Sequence, residues 1–196
     1  MIAALPGVVL AAGASSRMGR PKALLPVGES GLPFARVICD ALTASGVSPI
    51  VVVTRAELAS PVAAVVPGTA LVVNPDPDRG QLSSLLLGLD ALGARDAVLV
   101  TLVDLPRFRL DTVAALIETW HRTHAPLVRP VHDGRHGHPA IFGAPLLHAL
   151  HSADVALGAK PVIQRFAAEA VGVPVDDPGT VDDIDTPEAY ARLERP

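Results

Sequence analysis

Apolar positions along the chain fall into two patterns. Four short runs, GVVLA at 7–11, PIVVV at 49–53, ALVVN at 70–74 and AVLVTLV at 97–103, are nearly unbroken and rich in valine. Such runs suit strands covered on both faces. Elsewhere the apolar positions spread out. Leu82, Leu85, Leu86, Leu89 and Leu92 recur at i, i+3, i+4, i+7 and i+10, one stripe along a helix over 81–92. Residues 32–45 have the same character and stop at Gly46, a good helix terminator. Leu110, Val113, Leu116, Ile117 and Trp120 predict another helix over 110–121. The stretch PLVRPVHDGRHGHPAIFG, 126–143, predicts two strands around a glycine-rich turn, and 182–194 a short loop and then a helix from Pro187. Strands alternating with helices imply a parallel sheet with helices on both faces. The expectation is a Rossmann-like α/β three-layer sandwich with a mostly parallel central sheet.

Composition narrows the function classes. The 196 residues form one domain, 1–196, large enough for a sizeable core. Hydrophobic residues make up 49% but aromatics only 3%, so that core is aliphatic. No apolar run approaches the roughly 20 residues of a membrane span. A net charge of −4 gives no basic field to attract nucleic acid, and so few aromatics argue against base-stacking platforms. The single cysteine, Cys39, allows no intrachain disulfide and fits a reducing cytoplasm. It reads as a buried small hydrophobe within a helix. The opening MIAALPGVVLAAGASS has the apolarity of an export signal but not its charge order. No Lys or Arg precedes the run, Arg17 follows it, and Pro6 and Gly7 interrupt it. The expectation is an N-terminus that stays on a cytoplasmic protein.

In parallel sheets ligands bind beyond the carboxyl ends of the strands. Three places qualify: the loop after Ala11, the loop after Asn74, and Asp104. In the first, Gly13, Ser15, Ser16 and Gly19 surround Arg17. Small residues let backbone N–H groups approach an anion. Arg17 can grip phosphate oxygens bidentately, and Lys22 adds a mobile point charge. The loop is neither G-x-x-x-x-G-K-[ST] nor G-x-G-x-x-G. An ordinary exposed turn is the alternative.

Read from Leu10 to Pro26, the pattern L-A-A-G-x-S-x-R-M-G-x-x-K-x-L-L-P resembles the opening motif of the nucleotidyltransferase family that contains molybdenum cofactor cytidylyltransferase and molybdopterin guanylyltransferase. Further pieces follow in order. Asn74-Pro75, Gly80, Ser84 and Gly88 are similar to the family's N-P…G-x-x-x-S-x-x-x-G-L segment, Asp104-Leu105-Pro106 to its D-x-P turn, Gly137-His138-Pro139 to G-H-P, and Asp183 to Glu188 to D-I-D-T-P-E. The resemblance implies the fold of nucleotide-diphospho-sugar transferases and transfer of NMP from an NTP. It places Leu10, Ala11, Ala12, Gly13, Ser15, Arg17, Gly19 and Lys22 at the nucleotide, with Ala12 to Gly19, Arg17 and Lys22 on its triphosphate. It places Asn74, Gly80 and Ser84 at sugar or base, and His138 beside a phosphorylated acceptor such as molybdopterin. Ala12, where guanylyltransferases more often have Gly, resembles the CTP-using branch, and GTP is the alternative. A cofactor-receiving enzyme is the implied protein partner.

Nucleotidyl transfer brings an anionic acceptor oxygen to an anionic α-phosphate, so positioning and electrostatics carry the chemistry. Arg17, Lys22 and Asp104 are the catalytic candidates. Mg²⁺ takes one or two carboxylates plus phosphate oxygens and water. The resemblance implies that Asp104 supplies one and that Asp183 or Asp185, which share one side of an extended chain, supplies another. Each has a plainer role: Asp104 opens a turn, and Asp185 or Thr186 caps a helix. His132, His136 and His138 lack zinc-finger spacing and a cysteine partner. Arg129 and Arg135 suit an anionic acceptor or a solvated surface. Many cytidylyltransferase-like relatives carry G-D-x-G-A-R where this chain has DVALGAK, 154–160. Lys160 stands in the arginine position and keeps charge without the planar fork, so the acceptor it meets can differ. That change also keeps open a non-catalytic nucleotide- or cofactor-binding role.

Overall fold

The computed structural model describes residues 4–28, 30–93 and 96–193. Four parallel strands carry the nucleotide end of the sheet: β1 (Gly7–Leu10), β4 (Ile50–Arg55), β5 (Ala70–Asn74) and β6 (Ala97–Leu102). They are the four valine-rich runs. Two-residue strands β2 (Pro26–Val27) and β3 (Leu32–Pro33) form a separate small ribbon. The other half holds β7 (Leu127–His132), β8 (Arg135–His136), β9 (Ala140–Gly143) and β10 (Val171–Pro174). The main sheet runs β10-β7-β9-β6-β1-β4-β5, with β8 paired on β7. Only β9 and β8 run antiparallel to their neighbours, so the sheet is mostly parallel as expected.

Seven helices flank it among the described residues: α1 (Phe34–Ala44), α2 (Ala59–Val65), α3 (Gln81–Leu92), α4 (Leu110–Thr123), α5 (Ala144–His151), α6 (Lys160–Arg165) and α7 (Pro187–Leu193). The strand runs are unbroken because alternate residues feed two cores. Val9, Val52, Leu99, Val128 and Ile141 pack with Ile38, Leu42, Val113 and Leu116 of α1 and α4. Val8, Val53, Val98, Val100 and Phe142 pack with Leu82, Leu85, Leu89, Leu146 and Leu150 of α3 and α5. Gly88 lets α3 lie close: a Cβ there would meet Val8 Cγ1 at 2.8 Å and Val53 Cγ2 at 2.9 Å. Cys39 is buried in α1, and burial pushes its thiol up to about 12.

Two expectations need correction. The stretch 126–143 forms three strands, not two, because Asp133 and Gly134, both at positive φ, make a tight turn that sends β8 back along β7. Leu110, placed on a buried stripe, is 49% exposed, because it is the first residue of α4, a turn ahead of the buried Val113 and Leu116. Elements α2, α5, α6 and β10 had no sequence reading. The three helices have eight residues or fewer, and β10 is a Val-Gly-Val-Pro edge strand, too short for a period to show.

Candidate active site

The chain leaves the sheet at Ala11, whose N–H still bonds Val53 O at 2.7 Å. Beyond it, no backbone amide from Ala12 to Arg17 has a hydrogen-bond partner among the described residues. Ser15, at φ 51°, turns the loop, and its carbonyl accepts the Met18 and Gly19 amides at 3.0 Å. Its hydroxyl accepts the Lys22 amide at 3.2 Å. A run of unpaired N–H groups around a positive-φ residue is an anion-binding concavity. Met18 and Leu25 anchor the loop in the core, and a single 3₁₀ turn over Lys22–Leu24 plants Ala23 there as well.

The carboxylates arrive from the other side. Val103 N–H bonds Leu10 O at 3.0 Å, which holds the end of β6 against β1 and puts Asp104 beside the loop. The chain's tail is strapped to the same point: Ile184 N–H donates to Asp104 O at 2.8 Å, and the Ile184 side chain is buried. With Ile184 turned inward, Asp183 and Asp185 turn toward the loop. Lys22 Nζ lies between the two elements, 2.9 Å from Asp104 Oδ2 and 2.5 Å from Asp185 Oδ1, and Arg17 donates to Asp185 Oδ2. Thr186, not Asp185, caps α7: its hydroxyl accepts the Ala189 amide at 3.2 Å. Tyr190 Oη donates to Pro26 O at 2.8 Å and ties α7 to the loop's far end.

The electrostatics follow from this cluster. Burial opposes the Lys22 charge, but hydrogen bonds to Asp185 and Asp104 and their charges outweigh it and hold the ammonium above its ordinary pKa. Burial likewise opposes Asp185, and Lys22, Asp183 and Arg17 overcome it and hold Asp185 below the usual carboxylate range. Asp183 goes the other way: burial, its bond to Asp185 and the nearby negative charges raise it. Asp104 Oδ1 is buried and has no hydrogen-bond partner among the described residues. Among the described residues no three acidic, histidine or cysteine side chains close on one point. The open donor set of Asp104 Oδ1 with Asp185 or Asp183 fits a cation that takes its other ligands from phosphate and water.

A cleft opens beside Lys22. It collects Leu10 to Gly13, Ser15, Lys22, Ser84 and Asp104 of the expected set, and adds Leu58, Pro77 and Gln81, which sequence reasoning missed. Gln81 directly follows Gly80 in a recognised segment, so its position carried a signal; Leu58, on a single 3₁₀ turn after β4, carried none. Gly19 borders a neighbouring hollow with Arg20 and Arg55. Asn74 is 2% exposed and borders a separate hollow with Asp76, Arg79 and Ser83; Gly80, at φ 97°, is the turn that starts α3. His138 serves the fold: Nδ1 lies 3.2 Å from Val100 O and its amide donates to Thr180 O at 2.9 Å. Burial lowers its pKa, so the ring is neutral and Nδ1–H donates to Val100. Gly137 before it is required, since a Cβ would fall 2.2 Å from Thr180 O. Lys160 is exposed at the start of α6 and does not line the cleft. His132 Nδ1 lies 3.1 Å from Val175 O and 3.2 Å from the Asp177 amide, engaged with backbone rather than with His136 or His138.

Known proteins are similar to this chain in sequence and fold. The MobA-like NTP transferase domain family matches residues 7–171. The chain is 32% identical over 197 residues to nicotine blue oxidoreductase of Paenarthrobacter nicotinovorans, which covers 95% of each chain. It is 31% identical over 204 residues to molybdenum cofactor guanylyltransferase of Rhodobacter capsulatus, covering 97% of this chain and 95% of that one. Against molybdenum cofactor cytidylyltransferase of Escherichia coli strain K12 it is 27% identical over 192 residues, covering 96% and 95%. The crystal structure of Rv0371c from Mycobacterium tuberculosis H37Rv matches with a TM-score of 0.83 at 26% identity, over 97% of this chain and 98% of that one. The loop of unpaired amides, Lys22 and Asp104 all lie inside the matched residues. The chain belongs to the MobA-like NTP transferase family and is a nucleotidyltransferase related to those of the molybdenum cofactor.

Proposed function

We propose that the protein transfers a nucleoside monophosphate, CMP by preference, from its triphosphate to a phosphorylated acceptor such as molybdopterin. An acceptor phosphate oxygen attacks the α-phosphorus, the bond to the bridging oxygen of the β-phosphate breaks, and pyrophosphate leaves. The observation that carries the reading is Lys22 seated between Asp104 and Asp185 at the lip where the unpaired amides of 12–17 gather. The amides and Arg17 hold the phosphate tail, and Lys22 faces the charge that develops on transfer. Mg²⁺, held by Asp104 Oδ1 with Asp183 or Asp185, would neutralise phosphate charge. Leu58 and Pro77 offer apolar walls to a base, and Gln81 and Ser84 offer polar atoms. The preference for CTP rests on Ala12; the alternative, GTP, keeps every other role. A 32% identical relative with an oxidoreductase name makes overall identity a poor guide to the reaction, so the reading stands on the site residues.

Calorimetry with each NTP, with and without Mg²⁺, tests this. Metal-dependent binding with CTP tightest is expected. Tighter GTP binding would replace the cytidylyl reading by the guanylyl one, and no NTP binding would refute the proposal.

A further inference from the structure

Asp177, in the turn that follows β10, is 2% exposed and is the one Asp, Glu, Lys or Arg among the described residues that is buried. Among the described residues no Lys or Arg pairs with it, and the nearby Arg109 guanidinium lies on Asp111. Backbone amides and one hydroxyl take its charge instead. Oδ2 accepts the Arg109 amide at 2.8 Å and the Thr112 hydroxyl at 2.7 Å. Oδ1 accepts the Gly179 amide at 3.1 Å. The start of α4, where amides carry partial positive charge, is a favourable place for a carboxylate.

These bonds join two segments. Residues 104–109 run from Asp104 to α4, and residues 177–185 carry the tail to Asp183 and Asp185. The segments meet again at Gly179, where a Cβ would fall 2.3 Å from Arg107 O, and at Ile184, whose amide donates to Asp104 O at 2.8 Å. Between those points Thr180 is fully buried, its hydroxyl on Asp177 O at 2.8 Å and its carbonyl on the His138 amide at 2.9 Å.

We propose that Asp177 is the positioning residue for the metal carboxylates: it holds the segment bearing Asp104 and the segment bearing Asp183 and Asp185 in register with each other. The inference rests on the metal role proposed for those carboxylates. Mg²⁺ demands near-ideal ligand geometry, so a small slide of one segment past the other weakens its site while both segments stay folded. A carboxamide cannot do the same work. In Asp177→Asn the single side-chain oxygen serves either Arg109 and Thr112 or Gly179, and the NH₂ faces an N–H on the other side.

Mn²⁺ in place of Mg²⁺ gives a readout separate from turnover. Its affinity in the presence of saturating CTP is measured by electron paramagnetic resonance for wild type, Asp177→Asn and Leu150→Ala. Leu150 is fully buried against the opposite face of the sheet, so its truncation costs stability without touching either segment. Asp177→Asn should bind Mn²⁺ about ten- to a hundredfold more weakly than wild type, and folded Leu150→Ala as tightly as wild type. If Asp177→Asn does not fold, Thr112→Val, which withdraws a donor from Oδ2, should weaken Mn²⁺ binding, and Thr112→Ser, which returns it, should restore the affinity. Wild-type affinity in Asp177→Asn, or in Thr112→Val where that variant carries the test, would overturn this inference alone, as would an equal loss in Leu150→Ala. Wild-type protein that binds no Mn²⁺ with CTP would overturn the proposed metal role as well.

Discussion

Lys22 Nζ has a carboxylate on either side, and both favour its charge. Its folded pKa lies above the ordinary 10.5, so its contribution to stability is full below that value and is lost as pH rises through the folded pKa. Asp185 is depressed below 3.8, so its contribution is full above that value and is lost as pH falls through the lower folded pKa. The tie should therefore hold across the whole neutral range. In thermal melts, Asp185→Asn should be less stable than wild type from about pH 5 to 9 and converge with it at strongly acid pH. Asp183 has the opposite sign: its raised pKa marks a charge the site disfavours. Asp183→Asn should melt at a higher temperature than wild type at pH 7; a lower one would show that its charge is stabilising. The sequence showed these residues well, because the loop motif and the D-I-D-T-P-E motif are strings. It did not show that Asp185 and not Asp183 meets Lys22, because two carboxylates on one side of Ile184 are told apart only by where the folded chain sets Lys22.

At the scale of elements, two glycines do different work. Gly88 brings α3 against β1 and β4, and the atoms a Cβ would strike belong to stiff, fully buried valines. Gly88→Ala should cost about 1–3 kcal/mol in denaturant melts, outweighing alanine's better helix propensity. Gly137→Ala strikes the Thr180 backbone, which carries the tail toward the site. It should cost more stability than Gly88→Ala and lower turnover too, by loosening the strap that presents Asp185. Long elements were legible because both sheet faces are covered and the strands are unbroken apolar runs. Short ones were not: α6 has six residues and β10 four, fewer than a period needs to declare itself. Asn74 illustrates the same limit within the site. Its place in a motif was visible, but its hydrogen bonds across the turn to Ser83 and Ser84 were not.

Across the whole molecule, the site joins segments far apart in sequence: the loop after β1, the end of β6 and the tail before α7. The family match ends at residue 171, yet Asp185 beyond it pairs with Lys22, and Tyr190 bonds Pro26. A chain ending after Val181 should lose stability and turnover together, since it gives up Ile184 from the core as well as Asp185. The expected doubly covered parallel sheet stands, with its functional loop at the carboxyl ends of the strands, where helices leave the backbone uncovered. On the proposed function, Lys22, Asp104 and Asp185 act together in nucleotidyl transfer. The most direct measurement is pyrophosphate release with CTP, Mg²⁺ and molybdopterin, in wild type and in Asp104→Ala. Release by wild type, and at least a hundredfold less by a folded Asp104→Ala protein, is the expected result. Equal release by both, or none from wild type with any NTP, would contradict it.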